Sequence, residues 1–384
     1  MDTIRYNILL QIMIRLIDTT VFLLVVLTVY AITPHRQSTT ATNLIDKREL
    51  WVNNSDENNN TLHDQYFPNS QLVLDMATIS HAVYRFKWNK FKSCHDINSS
   101  ESLHNETYPI RLPTHTECMY YTHDESLGTQ VLVLRSSVYN YISVAYAGTD
   151  DWKTALADGD ILMSEFGPSS LNNIKNMTSE EKQKEDDIRS LFNNVPTDVR
   201  VHRGFNNNVF ANSSEFVKLL NCIESARLGG DCENTSPDNI NNSIKSDQLT
   251  AQYELITTGH SLGAASSVLL GAALHLLYPT ETIRTINYGC PKIGNAEWGS
   301  YIDSRQPIQQ KEGSGSLEIF RFVNKIDLVP RLPELPLLVH VGHTLQMSVG
   351  GVIRVSVSCF DYLSTVFTCL YTYKYFFDTI IGIL

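Results

Sequence analysis

The sequence predicts an α/β protein, a central and mostly parallel sheet with helices on both faces, and two observations lead to it. From residue 255 onward, short apolar runs alternate with helical periodicity: strand 255–258, helix 262–277, strand 285–288, helix 295–302, strand 319–323. Strands alternating with helices build crossover units and hence parallel pairing. The chain has 384 residues, 42% of them hydrophobic, which suffices for a large core and excludes wholesale disorder. No internal repeat is evident, so residues 70–384 read as one domain.

Each earlier element has a local cause. Leu72, Met76, Ile79, Ala82 and Val83 recur at helical spacing and predict an amphipathic helix over 70–88. Runs 130–135 and 141–147 are strand-like, and residues 136–140 between them predict a hairpin. A helix over 210–228 is ended by Gly229 and Gly230. Polar insertions follow at 230–248 and precede at 172–187. Residues 359–384 are rich in Phe, Tyr and Ile, but Asp361, Lys374 and Asp378 interrupt them, so a packed terminal helix is expected rather than a span.

The N-terminus predicts the secretory pathway. Residues 21–32 are a twelve-residue apolar run, short of the ~20 residues of a membrane span. Val29-Tyr30-Ala31 offers small residues for signal-peptidase cleavage. Residues 1–32 therefore read as a signal peptide or, alternatively, a signal anchor, with a polar Asn-rich lead-in over 33–69. Acceptor sequons at Asn53, Asn59, Asn98, Asn105, Asn176, Asn212, Asn234 and Asn241 agree with a secreted or secretory/lysosomal-lumen location. So do the close pairs Cys222/Cys232 and Cys359/Cys369, with Cys94/Cys118 a third and Cys290 an odd buried thiol. No Cys/His cluster suggests a metal site. The net charge of −11, without a basic block, argues against nucleic acid, and no obligate protein partner is evident.

The chemistry centres on Gly259-His260-Ser261-Leu262-Gly263, a G-x-S-x-G pentapeptide between a short strand and a helix. In a nucleophile elbow the turn is tight enough to need glycine two residues either side, and it lifts the serine hydroxyl above the sheet edge. The plain alternative is a serine that caps the helix. A nucleophilic serine needs a base, and the base an orienting carboxylate. Asp327 follows a strand, though it could equally be a solvated turn aspartate. His340 leaves the apolar run 337–339, a position often structural. The order Ser, Asp, His is that of an α/β-hydrolase.

Six blocks in order resemble the class 3 (fungal-type) lipase family of the α/β-hydrolase superfamily, over about residues 70–350. They are Tyr146-Ala147-Gly148-Thr149-Asp150-Asp151-Trp152 with Asp158 beyond, Val201-His202-Arg203-Gly204-Phe205, the elbow, Tyr288 to Asn295, Val323 to Pro333, and His340-Val341-Gly342. The resemblance implies Ser261 as nucleophile, Asp327 as orienting acid and His340 as general base, with His343 the alternative base. It also implies the Thr149 and Leu262 N–H groups as the oxyanion hole, loop-holding roles for Trp152 and Asp158, and a structural His202. Ala147 departs from the family's usual Arg, and the interval from Asp327 to His340 is short.

The implied activity is hydrolysis of lipid carboxylic esters, acylglycerol or phospholipid, at a lipid–water interface, with no metal or organic cofactor. Residues 157–171 occupy the place of a lid, where Ile161, Leu162, Met163 and Phe166 either open onto lipid or pack in the core. Rival readings are a small-ester (feruloyl-type) esterase, an acyltransferase on the same triad, and a hydrolase-fold binding protein without turnover.

Overall fold

The structure is a computed structural model that describes residues 68–88, 93–94, 97, 112–148, 162–168, 179–232, 253–307, 315–324, 327–333, 338–347 and 353–356. Residues 1–67, Thr149, Trp152, Asp158, Ile161, residues 172–178 and 233–248 of the two insertions, the Cys359/Cys369 pair and the C-terminal segment lie outside them.

In chain order the elements are α1 Ser70–Trp88, β1 Glu117–Asp124, β2 Thr129–Ser136, β3 Tyr141–Tyr146, β4 Met163–Glu165, α2 Ser179–Leu191, β5 Arg200–His202, α3 Arg203–Phe210 and α4 Ser213–Arg227. They continue with β6 Glu254–His260, α5 Leu262–Leu277, β7 Ile283–Tyr288, α6 Ala296–Asp303, β8 Leu317–Asn324, β9 His343–Met347 and β10 Ile353–Ser356. One eight-stranded sheet has the order β1-β2-β3-β6-β7-β8-β9-β10. Its centre, β3 through β9, pairs in parallel, while β1, β2 and β10 add antiparallel edges. The expected α/β class is borne out.

Two apolar layers sandwich this sheet. On one face α1 buries Val73, Met76, Ile79, Val83 and Phe86 against Ile256, Ile286 and Phe320. On the other, α3, α4, α5 and α6 cover Val144, Leu255 and Ile319 with Phe205, Phe216, Leu269 and Trp298. Helix α5 is apolar all round because it lies wholly inside, with 14 of its residues, from Leu262 to His275, buried.

The structure departs from the sequence reading at several places. Strand β1 was not anticipated: its inward residues are interrupted by a register shift between Cys118 and Tyr120, which hides the alternation. The helix expected over 210–228 is α4, Ser213–Arg227, which starts where the Asn212 side chain accepts from Glu215 N at 3.2 Å; Phe210 instead ends α3, which was not anticipated. Part of the insertion 172–187 is ordered as α2. The hairpin between β2 and β3 is present, with Asn140 at φ 54. Disulfides join Cys94 to Cys118 and Cys222 to Cys232, and Cys290 is free and buried.

A buried charge network ties α4 to α5. Glu224 Oε2 accepts from Arg227 Nη1 at 2.7 Å and from Tyr278 Oη at 2.6 Å, and Arg227 also pairs with Glu281. The Arg227 side chain is only 5% exposed and lies over the Tyr278 ring. Removing one member of such a set leaves the others desolvated and unpaired. Glu224→Ala is expected to cost ~3 kcal/mol, read as a lower urea midpoint with an unchanged m-value.

Candidate active site

Strand β6 delivers the elbow. Its two threonines are satisfied inside the protein: Thr257 Oγ1 donates to Ser267 O at 2.8 Å and Thr258 Oγ1 to Ile286 O at 2.6 Å. The chain then reverses into α5 through Ser261, whose φ of 58° and ψ of −123° are left-handed values that a non-glycine residue rarely takes. The glycines make the reversal possible: a Cβ at Gly259 would collide with the backbone of Gly263, and one at Gly263 with the backbone of Tyr146 and Ala147. Ser261 stands at the N-cap position but makes no capping hydrogen bond. The capping alternative does not describe it.

The same close approach sets the start of α5 beside the end of β3. Leu262 opens α5, so its N–H belongs to the first turn and has no intrahelical acceptor. Gly263 packs on the end of β3, and residues 147–148 lead from there towards Thr149, itself outside the described residues.

Asp327 lies three residues beyond β8. Its Oδ1 accepts from Val329 N at 2.9 Å, which fixes the turn into a short 3-10 segment over Val329–Arg331. Its Oδ2 abuts Gly289 at the end of β7, 2.8 Å from where a Cβ would stand, and the His260 ring shares that space, with Nε2 3.5 Å from the same point.

His340 sits in a loop held from two sides. Val339 bridges Gly294 after β7, and Arg321 of β8 donates Nε–H to Val341 O at 2.8 Å. The His340 Nε2–H donates to Pro330 O at 2.6 Å. Among the described residues no hydrogen bond joins His340 to Ser261 or to Asp327; the structure brings the three segments to one sheet edge without closing them into a chain. Removal from water holds the His340 pKa well below the usual histidine range, Arg321 and Lys292 add to this, and the bond to Pro330 opposes it. His343 is the first residue of β9, pairs with Phe320 and tilts against its ring at 5.7 Å, so it belongs to the sheet.

Other expected site residues are placed as follows. His202 is buried against Phe205, with ring centroids 4.4 Å apart. Of the lid candidates, Phe166 is buried among Phe192, Phe210 and Trp298, and Met163 lies in β4, paired with His202. Sequence reasoning missed Tyr84 and Arg321. Tyr84 reaches His260 from α1; Arg321 is a buried cation inside an apolar strand, a break in pattern that could have flagged it. Burial, with His81 nearby, pushes His260 down to about 4. Among the described residues no group of three or more His, Cys, Asp or Glu is gathered as metal ligands would be.

Comparison with known proteins follows the same residues. The family model described as Lipase (class 3) matches residues 145–336, half of the chain, from the end of β3 past Asp327. A lipase of Rhizopus niveus is 33% identical over 96 residues, which cover 23% of this chain and 22% of the relative. The secreted mono- and diacylglycerol lipase A of Penicillium cyclopium is 37% identical over 92 residues, covering 23% and 26%. These matches span about a quarter of either chain. The crystal structure of a lipase from Rhizopus microsporus var. chinensis is similar over 76% of this chain and 80% of that one, at 17% identity and a TM-score of 0.48. The chain belongs to the class 3 lipase family and has its α/β-hydrolase fold.

Proposed function

We propose that the chain is a serine hydrolase of the secretory pathway that cleaves carboxylic esters of glycerol lipids through an acyl-enzyme on Ser261. The observation that carries this reading is the strained, uncapped Ser261 between β6 and α5. Strain of about 1–3 kcal/mol persists only where surrounding structure imposes it, and it concentrates at functional sites. Family membership and the names of the relatives, lipases and an acylglycerol lipase, support a lipid ester as substrate. Two disulfides support an oxidising compartment.

In the proposed reaction His340 accepts the Ser261 hydroxyl proton while Oγ bonds to the ester carbonyl carbon. The Leu262 and Thr149 N–H groups hold the resulting oxyanion, each contributing ~3 kcal/mol. His340 returns the proton to the departing alcohol as the carbon–oxygen bond breaks. It then takes a proton from water as that water attacks the acyl carbonyl, and passes it to Ser261 Oγ as the acyl–oxygen bond breaks and the carboxylic acid leaves. Asp327 orients the imidazole and stabilises its cation. His340 must first leave the Pro330 carbonyl for this role.

That bond also favours a second reading, a hydrolase-fold binding protein without turnover, since the ring is engaged away from Ser261. Assays of the purified chain on acylglycerol emulsions and phospholipid vesicles separate the two. Ser261→Ala is expected to lower kcat by roughly 1,000-fold or more. His340→Ala should lose about as much, and His343→Ala should stay within about threefold. Wild-type turnover indifferent to Ser261→Ala would sink the hydrolase reading; turnover indifferent to His340→Ala alone would move the base elsewhere.

The acid limb of kcat/KM is a further check. A base must be neutral to accept a proton, and a depressed pKa keeps His340 neutral as pH falls. The limb should therefore lie below the usual histidine value of about 6.5. For the secretory route, Asn212 is expected to stay unglycosylated. Its side chain already caps α4 and donates Nδ2–H to Asp124 Oδ2 at 2.7 Å. Peptide mapping of secreted protein, with glycosidase treatment, reads this directly.

A further inference from the structure

Helix α1 carries a line of polar contacts to the sheet that ends at the elbow. The Tyr288 hydroxyl donates to Val73 O at 2.5 Å, Thr258 Oγ1 lies 3.4 Å from Met76 O, and Ser80 Oγ meets Thr258 Oγ1 at 2.8 Å. The next residue in this series is Tyr84. Positions 73, 76, 80 and 84 are three or four apart and so share one face of the helix. These buried bonds set how far α1 reaches along β6, and hence where the Tyr84 hydroxyl stands.

That hydroxyl touches both parts expected to shape the oxyanion hole. It donates to His260 O at 3.0 Å and lies 3.1 Å from His260 Nδ1, which returns its own N–H to the phenol oxygen. The His260 carbonyl belongs to the peptide unit whose N–H is that of Ser261, and this N–H donates to Tyr288 O at 3.0 Å. The peptide preceding the strained serine is therefore gripped at both ends. The Tyr84 hydroxyl also fills the space beside Gly148, where a Cβ would collide with it. Backbone segment 147–148 thus rests on the same oxygen that holds the elbow.

We propose that Tyr84 is a positioning residue for Ser261: its hydroxyl fixes the His260–Ser261 peptide against the Gly148 backbone and so sets the distance between the nucleophile and the oxyanion donors. The inference rests on the Ser261 hydrolase reading. Without the hydroxyl, the peptide carbonyl is free to rotate and the strained serine to relax. Misplacement by about 1 Å at a reacting centre costs on the order of 100-fold in rate.

The experiment measures inactivation of Ser261 by an alkyl fluorophosphonate, in which Oγ bonds to phosphorus and fluoride leaves. Its reversible affinity is separated from its first-order inactivation rate. Tyr84→Phe is expected to lower the inactivation rate roughly 10- to 100-fold, with affinity within about twofold. Tyr120→Phe removes a comparable phenol bond, to Glu215 at 2.8 Å on the far side of the sheet, and is expected to cost similar thermal stability at an unchanged rate. Gly148→Ala, which displaces the hydroxyl instead of deleting it, should show the same split as Tyr84→Phe and serves if that variant fails to fold. A Tyr84→Phe or Gly148→Ala rate within about twofold of wild type overturns the inference alone. Absence of any Ser261 labelling in wild type overturns the hydrolase reading and this inference with it.

Discussion

The reversal of the chain at Ser261 is the constraint on which the rest of the structure depends. A strand lying in the sheet must become a helix lying on its face within one residue, and the only way through is a left-handed backbone at Ser261. Such a turn opens up unless it is held. It is held by the Ser261 N–H bonded to Tyr288 O, by the packing of Gly263 on the end of β3, and by Gly259 lying against Gly263. The first two of these contacts come from neighbouring strands of the parallel centre. The order β3-β6-β7 is thus a requirement of the elbow: β3 supplies the surface under α5, and β7 the carbonyl that anchors the serine.

The loops after β7 and β8 are bound into the same edge. Gly289 N donates to Phe322 O at 2.9 Å, Lys292 N to Leu332 O at 2.9 Å, and Ile293 N to Val339 O at 3.3 Å. These bonds stitch the segment after the elbow's neighbour to the Asp327 turn and to the His340 loop. Parallel strands place their carboxyl ends together, so residues far apart in sequence arrive at one crevice. The antiparallel edges, β1, β2 and β10, contribute no expected site residue; they widen the sheet, β1 under α4 and β2 under α1.

What the sequence disclosed follows from how local each signal is. Helix α5 and strands β6, β7 and β8 were legible because short apolar runs alternate there with helical spacing and glycine or a capping residue marks the boundaries, as Asn295 caps α6 by accepting from Trp298 N at 3.0 Å. The elbow was legible because its geometry demands glycine at two fixed offsets. Strands β4 and β5, three residues each, are too short for any alternation to show. Helix α3 was not legible because its sequence, RGFNNNVF, carries a glycine and three asparagines that disfavour helix. Tyr84 was invisible for a different reason: its partner is 176 positions away, and no local pattern distinguishes a tyrosine that meets the elbow from one that faces solvent.

The proposed base, His340, shows where motif order stops and geometry begins. A carbonyl oxygen can only accept, so the bond to Pro330 requires that His340 carry its proton on Nε2. A base serving Ser261 in the usual sense needs the opposite arrangement, with Nε2 bare towards the serine and Nδ1–H towards the acid. A neutral imidazole exchanges between these tautomers readily, and giving up a single bond to a backbone carbonyl costs about 1 kcal/mol. That is less than the ~3 kcal/mol which one oxyanion donor supplies. What the proposed role then requires is a turn of the ring away from Pro330, while Arg321 keeps hold of the Val341 carbonyl next to it. The backbone of the loop stays pinned by Arg321, so in the proposed mechanism the side-chain torsions of His340 carry the whole adjustment.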